Sequence, residues 1–333
     1  MAEQQTRVAL AKYPDGVPVE SDFEVTTGAI PEAARGQILV RNQYLSLDPF
    51  LRGVISGRQI YATKVEPGDT MPGNTVGEVI DSQHAGFSKG DVVVIDGGWQ
   101  QYVAVDGDTA RKVDGDEDLR SLRVGILGMP GLTAYAGLLR LAEPVAGDTV
   151  VVSAASGPVG SMVGQIARLK GCRVIGIAGS PEKCGWVVDE LGFDGCINYK
   201  TENLEERLAA LCPDKINVYF DNVGGDTLTA VLKHLALGAR ITLCGMITQY
   251  NSAVTPPGPN LGPVIGARAI MKGLVVYDHY DLWDEFSKEA SQWVRSGDIQ
   301  HREVRSEGLS QAAIAFCRLM RGENFGKELV VIE

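Results

Sequence analysis

Residues 149–160 have the types and spacing needed to hold a phosphate group. The β-branched run 149–152 is followed by the small residues 153–160 and then by the amphipathic stretch 161–170. This order predicts a strand, a tight loop and a helix, which is the opening of a dinucleotide-binding βαβ unit. The residues expected to hold the pyrophosphate are Gly157, Pro158, Val159 and Gly160.

The two glycines of this loop have different expected tasks. At Gly157 the absence of a Cβ lets the backbone approach an anion, and the N–H groups that open the next helix point at it. Gly160 would let the helix pack tightly on its strand. Ala155 stands where the fingerprint G-x-G-x-x-G has its first glycine. The motif alone therefore leaves open a plain helix start beside a packing glycine.

The end of the next predicted strand indicates which dinucleotide fits. A site for NAD places Asp or Glu about twenty residues after the glycines, where the carboxylate binds the adenosine ribose. This segment contains Gly179, Ser180, Glu182 and Lys183. Lys183 would attract the 2′-phosphate of NADP(H), and the two residues before the proline would offer backbone and hydroxyl donors. NADP(H) is the predicted cofactor; the alternatives are a ribose role for Glu182 and a solvated position for Lys183.

Polar residues also follow two later strands. Asn222 and the pair Gly224–Gly225 come after one strand, and Cys244, Gly245 and Tyr250 come after the next. Glycines at strand ends let the backbone pass close to a cofactor, and Asn222 could reach its ribose or nicotinamide. The Tyr250 phenol could donate a hydrogen bond or a proton to a developing oxyanion. The alternatives are a simple turn for the glycines, core filling for Cys244 and a surface position for Tyr250.

These residues need a scaffold of alternating strands and helices, which the chain supplies from about residue 126. The order predicts a doubly wound parallel sheet, in which ligands bind at the carboxyl ends of the strands. The predicted strands are 149–153, 173–179, 196–199, 217–222, 239–245 and 269–276. The predicted helices are 161–170, 181–191, 204–211, 226–235 and 282–294.

The first 125 residues have a different sequence pattern. Short β-branched segments punctuated by Gly and Pro predict a partly closed β domain. Its expected strands are 37–41, 77–80, 91–95 and 101–105. The stretches 44–53 and 127–135 each combine a Pro-fixed turn with aromatic, apolar and polar side chains, which suits either a pocket wall or an ordinary turn over a core. A helix near 310–321 and a strand at 327–332 could close either domain.

Size and composition limit the class of protein. A chain of 333 residues, 44% hydrophobic and 22% charged, has room for two domains with substantial cores. The net charge of −11 argues against nucleic-acid binding, and no apolar run is long enough to span a bilayer. The first residues show no apolar signal region, which predicts a soluble, cytoplasmic protein. The cysteines and histidines lack metal-ligand spacing, and the cysteines are expected to be reduced.

Six motifs in order carry a resemblance to one family. Over nearly its full length the chain resembles the zinc-independent medium-chain dehydrogenase/reductases of the leukotriene B4 dehydrogenase, prostaglandin reductase, 2-alkenal reductase and curcumin reductase group. In this group the loop reads A-x-x-G-x-x-G, which accounts for Ala155. The matching motifs are YLSLDP at 44–49, GMPGLTAY at 128–135, AASGPVG at 154–160, NYK at 198–200, FDNVGG at 220–225 and QYN at 249–251.

The resemblance implies an α/β fold with a GroES-like, partly open β-barrel catalytic domain and a doubly wound parallel-sheet Rossmann domain. The catalytic domain would comprise residues 1–125 and 297–333, and the NADP-binding domain residues 126–296. A homodimer is also expected.

The resemblance further implies roles for individual residues. Those expected to contact the cofactor are Met129 and Thr133 at the nicotinamide, Lys183 and Tyr199 at the 2′-phosphate, and Asn222, Cys244 and Asn324 along the groove. Those expected in the substrate pocket are Tyr44, Asp48, Phe50, Arg52 and Tyr61.

Two departures from the wider family matter. Members that bind catalytic zinc carry an early Cys and a Gly-His-Glu segment, whereas here no Cys precedes Cys172 and the comparable region, 73–78, reads GNTVGE. No metal is therefore expected. Close relatives commonly have Asp-Pro-Tyr-Met-Arg where this chain has Phe50 in place of the Tyr. An aromatic wall is kept, but any substrate hydrogen bond from that hydroxyl is lost.

Together these features predict an NADPH-dependent reductase of the C=C bond in α,β-unsaturated aldehydes or ketones. Hydride would pass to the β-carbon, the cofactor ribose hydroxyl and Tyr250 would stabilise the enolate oxygen, and Tyr250 or water would protonate the α-carbon. The alternatives are an NADPH quinone oxidoreductase of the zeta-crystallin type and a non-catalytic NADP-binding structural or regulatory protein.

Overall fold

Two compact units make up the chain in the computed structural model, which describes residues 4–58, 64–252, 254 and 256–332. One unit comprises Met1–Gly125 and Glu303–Glu333, and we call it the mixed-sheet unit. The other comprises Ile126–Arg302, and we call it the parallel-sheet unit.

The strands and helices follow one another along both units. In chain order the strands are β1 (Gln4–Leu10), β2 (Phe23–Ala29), β3 (Gln37–Ser46), β4 (Thr75–Ser82), β5 (Val92–Ile95), β6 (Tyr102–Asp106), β7 (Arg111–Val113), β8 (Thr149–Ser153), β9 (Arg173–Ala178), β10 (Gly195–Asn198), β11 (Ile216–Asp221), β12 (Leu235–Leu243), β13 (Ile270–Gly273), β14 (Glu303–Glu307) and β15 (Lys327–Val331). The helices are α1 (Leu51–Val54), α2 (Met129–Tyr135), α3 (Pro158–Leu169), α4 (Pro181–Asp189), α5 (Leu204–Leu211), α6 (Gly225–Leu232), α7 (Gly262–Ala267), α8 (Trp283–Ser296) and α9 (Ala312–Met320).

The parallel-sheet unit is built on a six-stranded sheet with the order β10-β9-β8-β11-β12-β13. Every neighbouring pair is parallel, and the chain reverses direction across the sheet between β8 and β11. The central strand β8 is buried along its whole length, as expected when helices cover both faces of a parallel sheet. This order confirms the predicted doubly wound Rossmann domain.

The mixed-sheet unit confirms the predicted sheet-rich second domain. Its larger sheet runs β14-β15-β3-β4-β5-β7, with β6 also paired to β3, and β1 pairs with β2 in a separate antiparallel ribbon. Within the larger sheet, as far as the described residues show it, β14 and β15 are the one parallel pair. The strands β1, β2, β7 and β14 had no counterpart among the predicted strands. β7 has only three residues, and in the other three strands polar residues precede or interrupt the apolar ones.

The stretch 127–135 corrects the prediction of a Pro-fixed turn, because most of it is helix α2. Pro130 occupies the first turn, where its missing N–H removes no intrahelical hydrogen bond. Gly131 is required by close packing, since a Cβ there would lie 1.9 Å from the carbonyl oxygen of Ile126. The chain then continues without a break into the π-helical segment Ala136–Ala142.

Two further predictions need correction. The stretch 44–53 is not one turn: its first three residues finish β3, and α1 occupies residues from Leu51 onward. The strand predicted at 269–276 is shorter, because β13 ends at Gly273 and a 3₁₀ segment, Val276–Leu282, follows it. Among the described residues no single helix is long and apolar enough to span a membrane; the helical segments 117–124 and 129–142 meet that test only as a bent pair.

A buried ion pair fixes Asp48 inside the mixed-sheet unit. Lys327 Nζ lies 2.8 Å from Asp48 Oδ1 and also donates to the Leu47 carbonyl at 2.7 Å. The Ser46 hydroxyl donates to the other carboxylate oxygen of Asp48. Both charged side chains are less than a tenth exposed, so each depends on the other for compensation.

Replacing Lys327 by methionine is expected to lower the free energy of unfolding by about 3–5 kcal/mol, because Asp48 would be left as a buried uncompensated charge. The matched control is Lys112→Met, which removes an ion pair to Asp91 from a lysine that is 55% exposed. That change should cost less than about 1 kcal/mol. Urea denaturation measures both variants, and equal losses would show that burial of Asp48 does not depend on Lys327.

Candidate dinucleotide and active site

The loop between β8 and α3 forms a cradle for an anion. Ser153 ends the strand, Pro158 begins the helix, and Gly157 is the N-cap residue in an extended conformation (φ −83°, ψ 169°). The first N–H groups of an α-helix have no intrahelical acceptor, and Gly157 has no side chain that could bind them. These N–H groups are therefore available to a bound phosphate.

Gly160 lets α3 begin directly against this loop. A Cβ at that position would lie 2.3 Å from the carbonyl oxygen of Ala154 and 2.9 Å from the Cα of Ala155. Ala154 itself has a left-handed backbone (φ 51°), which turns the chain sharply after the strand. By contrast, a Cβ at Gly157 would have one neighbour within 4 Å, the Ala154 carbonyl oxygen at 3.3 Å. The rest of the space around Gly157 is open.

The change Gly160→Ala is expected to lower the free energy of unfolding by about 3 kcal/mol, because a backbone oxygen cannot rotate away from the new methyl group. The control is Gly266→Ala in α7, where a methyl group on the Cα would have nothing within 4 Å of it. That change should be neutral or stabilising by up to about 1 kcal/mol. Urea titration of both variants provides the measurement, and a loss at Gly160 no larger than at Gly266 would contradict the close packing of α3.

Four predicted cofactor residues lie together where β9 and β10 end. The Tyr199 ring covers Gly179: a Cβ there would be 2.9 Å from Tyr199 Cε1 and 3.1 Å from its hydroxyl. Ser180 caps α4, since its Oγ accepts the Lys183 N–H at 3.2 Å. Burial and the nearby positive charge of Lys200 lower the pKa of the Lys183 amine. Repulsion between these two positive charges favours a bound anion. Lys200, which directly follows Tyr199, is a residue that the sequence reasoning missed.

A buried carboxylate, also missed, organises the ends of β8 and β11. Asp221 is fully buried, and its Oδ1 accepts hydrogen bonds from two side chains and two backbone groups. These donors are Ser153 Oγ (3.1 Å), the Tyr219 hydroxyl (2.8 Å), Val223 N–H (3.0 Å) and Gly224 N–H (2.9 Å). The available signal was an acidic residue ending an apolar strand just before a Gly-Gly pair.

This network fixes the predicted residue Asn222. Its N–H donates to Ser153 Oγ at 2.8 Å, and its side-chain amide donates to the Ser153 carbonyl at 2.8 Å. The next residues, Gly224 and Gly225, both have positive φ (71° and 56°), which glycine adopts without strain. Asn222 is thereby held at the carboxyl edge of the sheet. It follows β11, and β8 lies between β11 and β9, the strand that leads into α4.

Tyr250 and Asn222 both lie close to Gly245. A Cβ on Gly245 would be 3.2 Å from the Tyr250 hydroxyl and 3.1 Å from the Asn222 carbonyl oxygen. The Met246 N–H donates to the Tyr250 hydroxyl at 3.4 Å. Burial and the Asp221 carboxylate raise the pKa of the neighbouring Cys244 thiol to about 12, so this thiol is neutral and unsuited to nucleophilic attack at pH 7.

Met129 and Thr133 belong to the same unit as the cradle. They lie one turn apart in α2, where the Thr133 hydroxyl donates to the Met129 carbonyl at 2.8 Å, and α2 packs against α3. Asn324 belongs to the mixed-sheet unit, where its side-chain amide donates to the Gly326 carbonyl at 2.9 Å.

The predicted substrate residues lie in the mixed-sheet unit and largely have internal partners. The guanidinium of Arg305 lies 5.7 Å from the centre of the Tyr44 ring. Arg52 is buried and donates to the Gly16 carbonyl at 2.9 Å, and Phe50 is half-buried at the start of α1. Tyr61 lies outside the described residues. Of this set, Tyr44 and Phe50 have side chains suited to contacting an apolar substrate.

The region comparable to the zinc segment of other family members has an ordinary structural role. Glu78 lies in β4 and forms an ion pair with Arg41 at 3.0 Å. Within the parts of the chain that the structure describes, no group of three or more His, Cys, Asp or Glu side chains could hold a metal ion.

The strand order, the glycine cradle and the cluster of polar groups at the carboxyl edge define a dinucleotide-binding α/β protein. Comparison with known proteins refines this class. A family model described as the N-terminal domain of oxidoreductase matches residues 6–113, and one described as zinc-binding dehydrogenase matches residues 158–296. The chain belongs to the zinc-independent medium-chain dehydrogenase/reductases, in the group that contains curcumin, prostaglandin and 2-alkenal reductases.

Three relatives illustrate the similarity. The chain is 40% identical to NADPH-dependent curcumin reductase of Escherichia coli, over 98% of this chain and 97% of the relative. It is 40% identical to the NADP(+)-dependent 2-alkenal reductase of Nicotiana tabacum, over 100% and 99%. The structure of CurA from Vibrio vulnificus in complex with NADPH superposes with a TM-score of 0.94 at 44% identity, covering 98% of this chain and 99% of CurA.

Proposed function

We propose that the protein is an NADPH-dependent reductase of the C=C bond in α,β-unsaturated aldehydes and ketones. The observation that carries the proposal is the position of the Tyr250 hydroxyl close to Gly245, where a Cβ would lie 3.2 Å from that hydroxyl and 3.1 Å from the Asn222 carbonyl oxygen. A proton-donating hydroxyl near this glycine, at the carboxyl edge of the parallel sheet where dinucleotides bind in this fold, supports the proposed reaction. The named activities of the relatives, curcumin reductase and 2-alkenal reductase, support the same reaction class.

The parallel-sheet unit fits the cofactor NADP(H). Gly160 lets α3 begin close to the Ala154 carbonyl, and Gly179 lets the Tyr199 ring lie close to the end of β9. The N–H groups at the start of α3 suit the pyrophosphate. Lys183, with Lys200 and Tyr199 beside it, suits the 2′-phosphate that distinguishes NADP from NAD. CurA, which is 44% identical, was solved with NADPH.

The proposed chemistry divides between the cofactor and the chain. NADPH, when bound, supplies the hydride. The Tyr250 hydroxyl donates a hydrogen bond to the substrate oxygen as negative charge develops there, and it is the proposed proton source for the α-carbon, directly or through a water. Asp221 and Ser153 position the segment that carries Asn222, and they stay out of contact with the substrate in this mechanism.

The other residue roles follow from the same resemblance. We propose cofactor contacts from Met129, Thr133, Gly157, Pro158, Val159, Gly160, Gly179, Ser180, Lys183, Tyr199, Asn222, Cys244, Gly245, Tyr250 and Asn324. For the substrate pocket we propose Tyr44, Phe50 and Tyr61, with Asp48 and Arg52 holding the segment through their internal partners. The proposed catalytic domain is 1–125 with 297–333 and the NADP-binding domain 126–296. The two compact units support this division except at residues 297–302, which belong to the parallel-sheet unit.

The deciding assay follows NADPH oxidation with a medium-chain 2-alkenal and a matching enone, and identifies the products by mass spectrometry. The expected products are the saturated aldehyde and ketone. An allylic alcohol, in which the carbonyl is reduced and the alkene intact, would contradict the proposal. Much faster turnover of a p-benzoquinone would favour a quinone oxidoreductase, and NADPH binding without oxidation across both substrate sets would favour a non-catalytic protein.

We also propose a cytoplasmic homodimer that acts on small molecules without nucleic acid or membrane. The net charge of −11 and the family resemblance support this. Light scattering after size-exclusion chromatography tests the dimer, since a single species of 35.6 kDa would contradict it.

A further inference from the structure

Two free thiols lie in contact between α4 and β10. Cys184 is in the first turn and a half of α4, Cys196 is in β10, and their sulfur atoms are 3.0 Å apart. The sulfurs of a disulfide are about 2.05 Å apart, so a shift of about 1 Å would allow a bond. Both side chains are half-buried, which leaves them open to a small solute.

The two thiols differ in reactivity. The Cys196 thiol donates its hydrogen bond to Cys184 Sγ, which lowers the pKa of Cys184. The same bond, together with burial, raises the pKa of Cys196. Since the thiolate is the nucleophile in thiol oxidation, Cys184 is suited to react first and Cys196 to resolve the product.

The pair joins the two elements that carry the proposed 2′-phosphate site. Cys184 directly follows Lys183, and its N–H donates to the Ser180 carbonyl at 3.0 Å. Cys196 lies three residues before Tyr199, whose ring covers Gly179. A backbone shift of α4 against β10 that brings the sulfurs together also moves Lys183 relative to Tyr199.

We propose that Cys184 and Cys196 form a reversible disulfide on exposure to hydrogen peroxide and that this bond weakens NADPH binding. The Cys184 thiolate attacks one peroxide oxygen, the O–O bond breaks, and Cys184 becomes a sulfenic acid as the released hydroxide takes up a proton to form water. The Cys196 sulfur then attacks the Cys184 sulfur and displaces hydroxide, which takes the Cys196 proton to form a second water. The two thiols lose two electrons in total and the peroxide gains them; a dithiol reductant reverses the change.

The effect on the cofactor rests on the proposed function, whereas the disulfide itself does not. A displacement of about 1 Å within a charged binding site is large enough to disturb phosphate contacts. We expect the dissociation constant for NADPH to rise about tenfold on oxidation, with a smaller change for NADH, which lacks the 2′-phosphate.

The test treats the full chain with hydrogen peroxide, counts free thiols and identifies cross-linked peptides by mass spectrometry without reduction. Wild type is expected to lose two thiols, to yield a Cys184–Cys196 peptide and to recover both thiols with dithiothreitol. Cys184→Ser and Cys196→Ser should each fail to form the cross-link. Cys172→Ser is the matched control, since it removes a buried thiol elsewhere in the same unit, and it should behave as wild type.

NADPH binding, followed by cofactor fluorescence, completes the experiment independently of enone turnover. A tenfold weakening in oxidised wild type and in Cys172→Ser, absent from both serine variants of the pair, supports the proposal. Absence of the Cys184–Cys196 peptide overturns the modification site. A complete cross-link with unchanged NADPH affinity overturns the regulatory effect of the disulfide. This outcome does not depend on which substrate the protein reduces.

Discussion

Replacing Tyr250 by phenylalanine is expected to lower kcat for enone reduction about 100-fold while leaving the dissociation constant for NADPH nearly unchanged. The variant keeps the ring and removes the hydroxyl, which lies close to Gly245. A positioned acid contributes roughly 10²–10⁴-fold to such reactions, and the lower figure applies here because water can replace the phenol as proton donor. Steady-state kinetics with a medium-chain enone measures the loss.

The Tyr250 result needs a control for folding. The hydrogen bond that the hydroxyl accepts from the Met246 N–H is long at 3.4 Å, so its loss should change the free energy of unfolding little. Tyr277→Phe is the matched variant, because Tyr277 is 44% exposed and lies outside the proposed site residues. If Tyr250→Phe turned over as fast as Tyr277→Phe, Tyr250 would have no role in proton transfer.

Reversing the charge of Lys183 is expected to lower kcat/KM for NADPH about 100-fold and to change kcat/KM for NADH much less. A hydrogen bond between charged groups contributes about 1.5–3 kcal/mol, and a glutamate would add repulsion of the 2′-phosphate. Burial and Lys200 lower the pKa of the free Lys183 amine, so a dianionic phosphate also relieves repulsion between the two lysines. The ratio of the two specificity constants for Lys183→Glu gives the measurement.

The pH dependence adds a second check on Lys183. Because its pKa is lowered, Lys183 loses its positive charge at a lower pH than an ordinary lysine does. KM for NADPH should therefore begin to rise at a correspondingly lower alkaline pH, with KM for NADH nearly constant. Lys89→Glu, an exposed turn lysine, controls for the change in net charge. Equal losses with NADPH and NADH in Lys183→Glu would remove the 2′-phosphate role.

Much of the cofactor-binding unit was predictable because its signals are local. A buried parallel strand requires a continuous apolar run, as in β8, and the loop that follows must contain small residues where backbone and phosphate approach. The order of strands and helices then left one arrangement, the doubly wound sheet with its ligands at the carboxyl edge. Asn222 and Gly245 follow two neighbouring strands of that sheet, β11 and β12.

Local signals failed where packing outweighed them. Pro130 and Gly131 suggested a turn, yet the segment is helical because Pro130 falls in the first turn and Gly131 lets the helix pack against the Ile126 carbonyl. The same holds for the substrate segment: the family resemblance suggested Asp48 and Arg52 as pocket residues, and the structure gives each of them an internal partner. A residue type indicates what a side chain can bind, and only packing decides which partner reaches it.

The sequence by itself predicted the alternation of strands and helices, the glycine loop at 154–160 and the lysine that suggests NADP(H), since each of these signals lies within a short segment of the chain. Only the tertiary structure decided the contacts between distant residues. Asp221 accepts a hydrogen bond from Ser153, 68 residues away in the chain, and Lys327 compensates the charge of Asp48, 279 residues away. Cys184 in α4 contacts Cys196 in β10, 12 residues away. No periodicity encodes these pairs, because they form only when folding closes the loops that separate them.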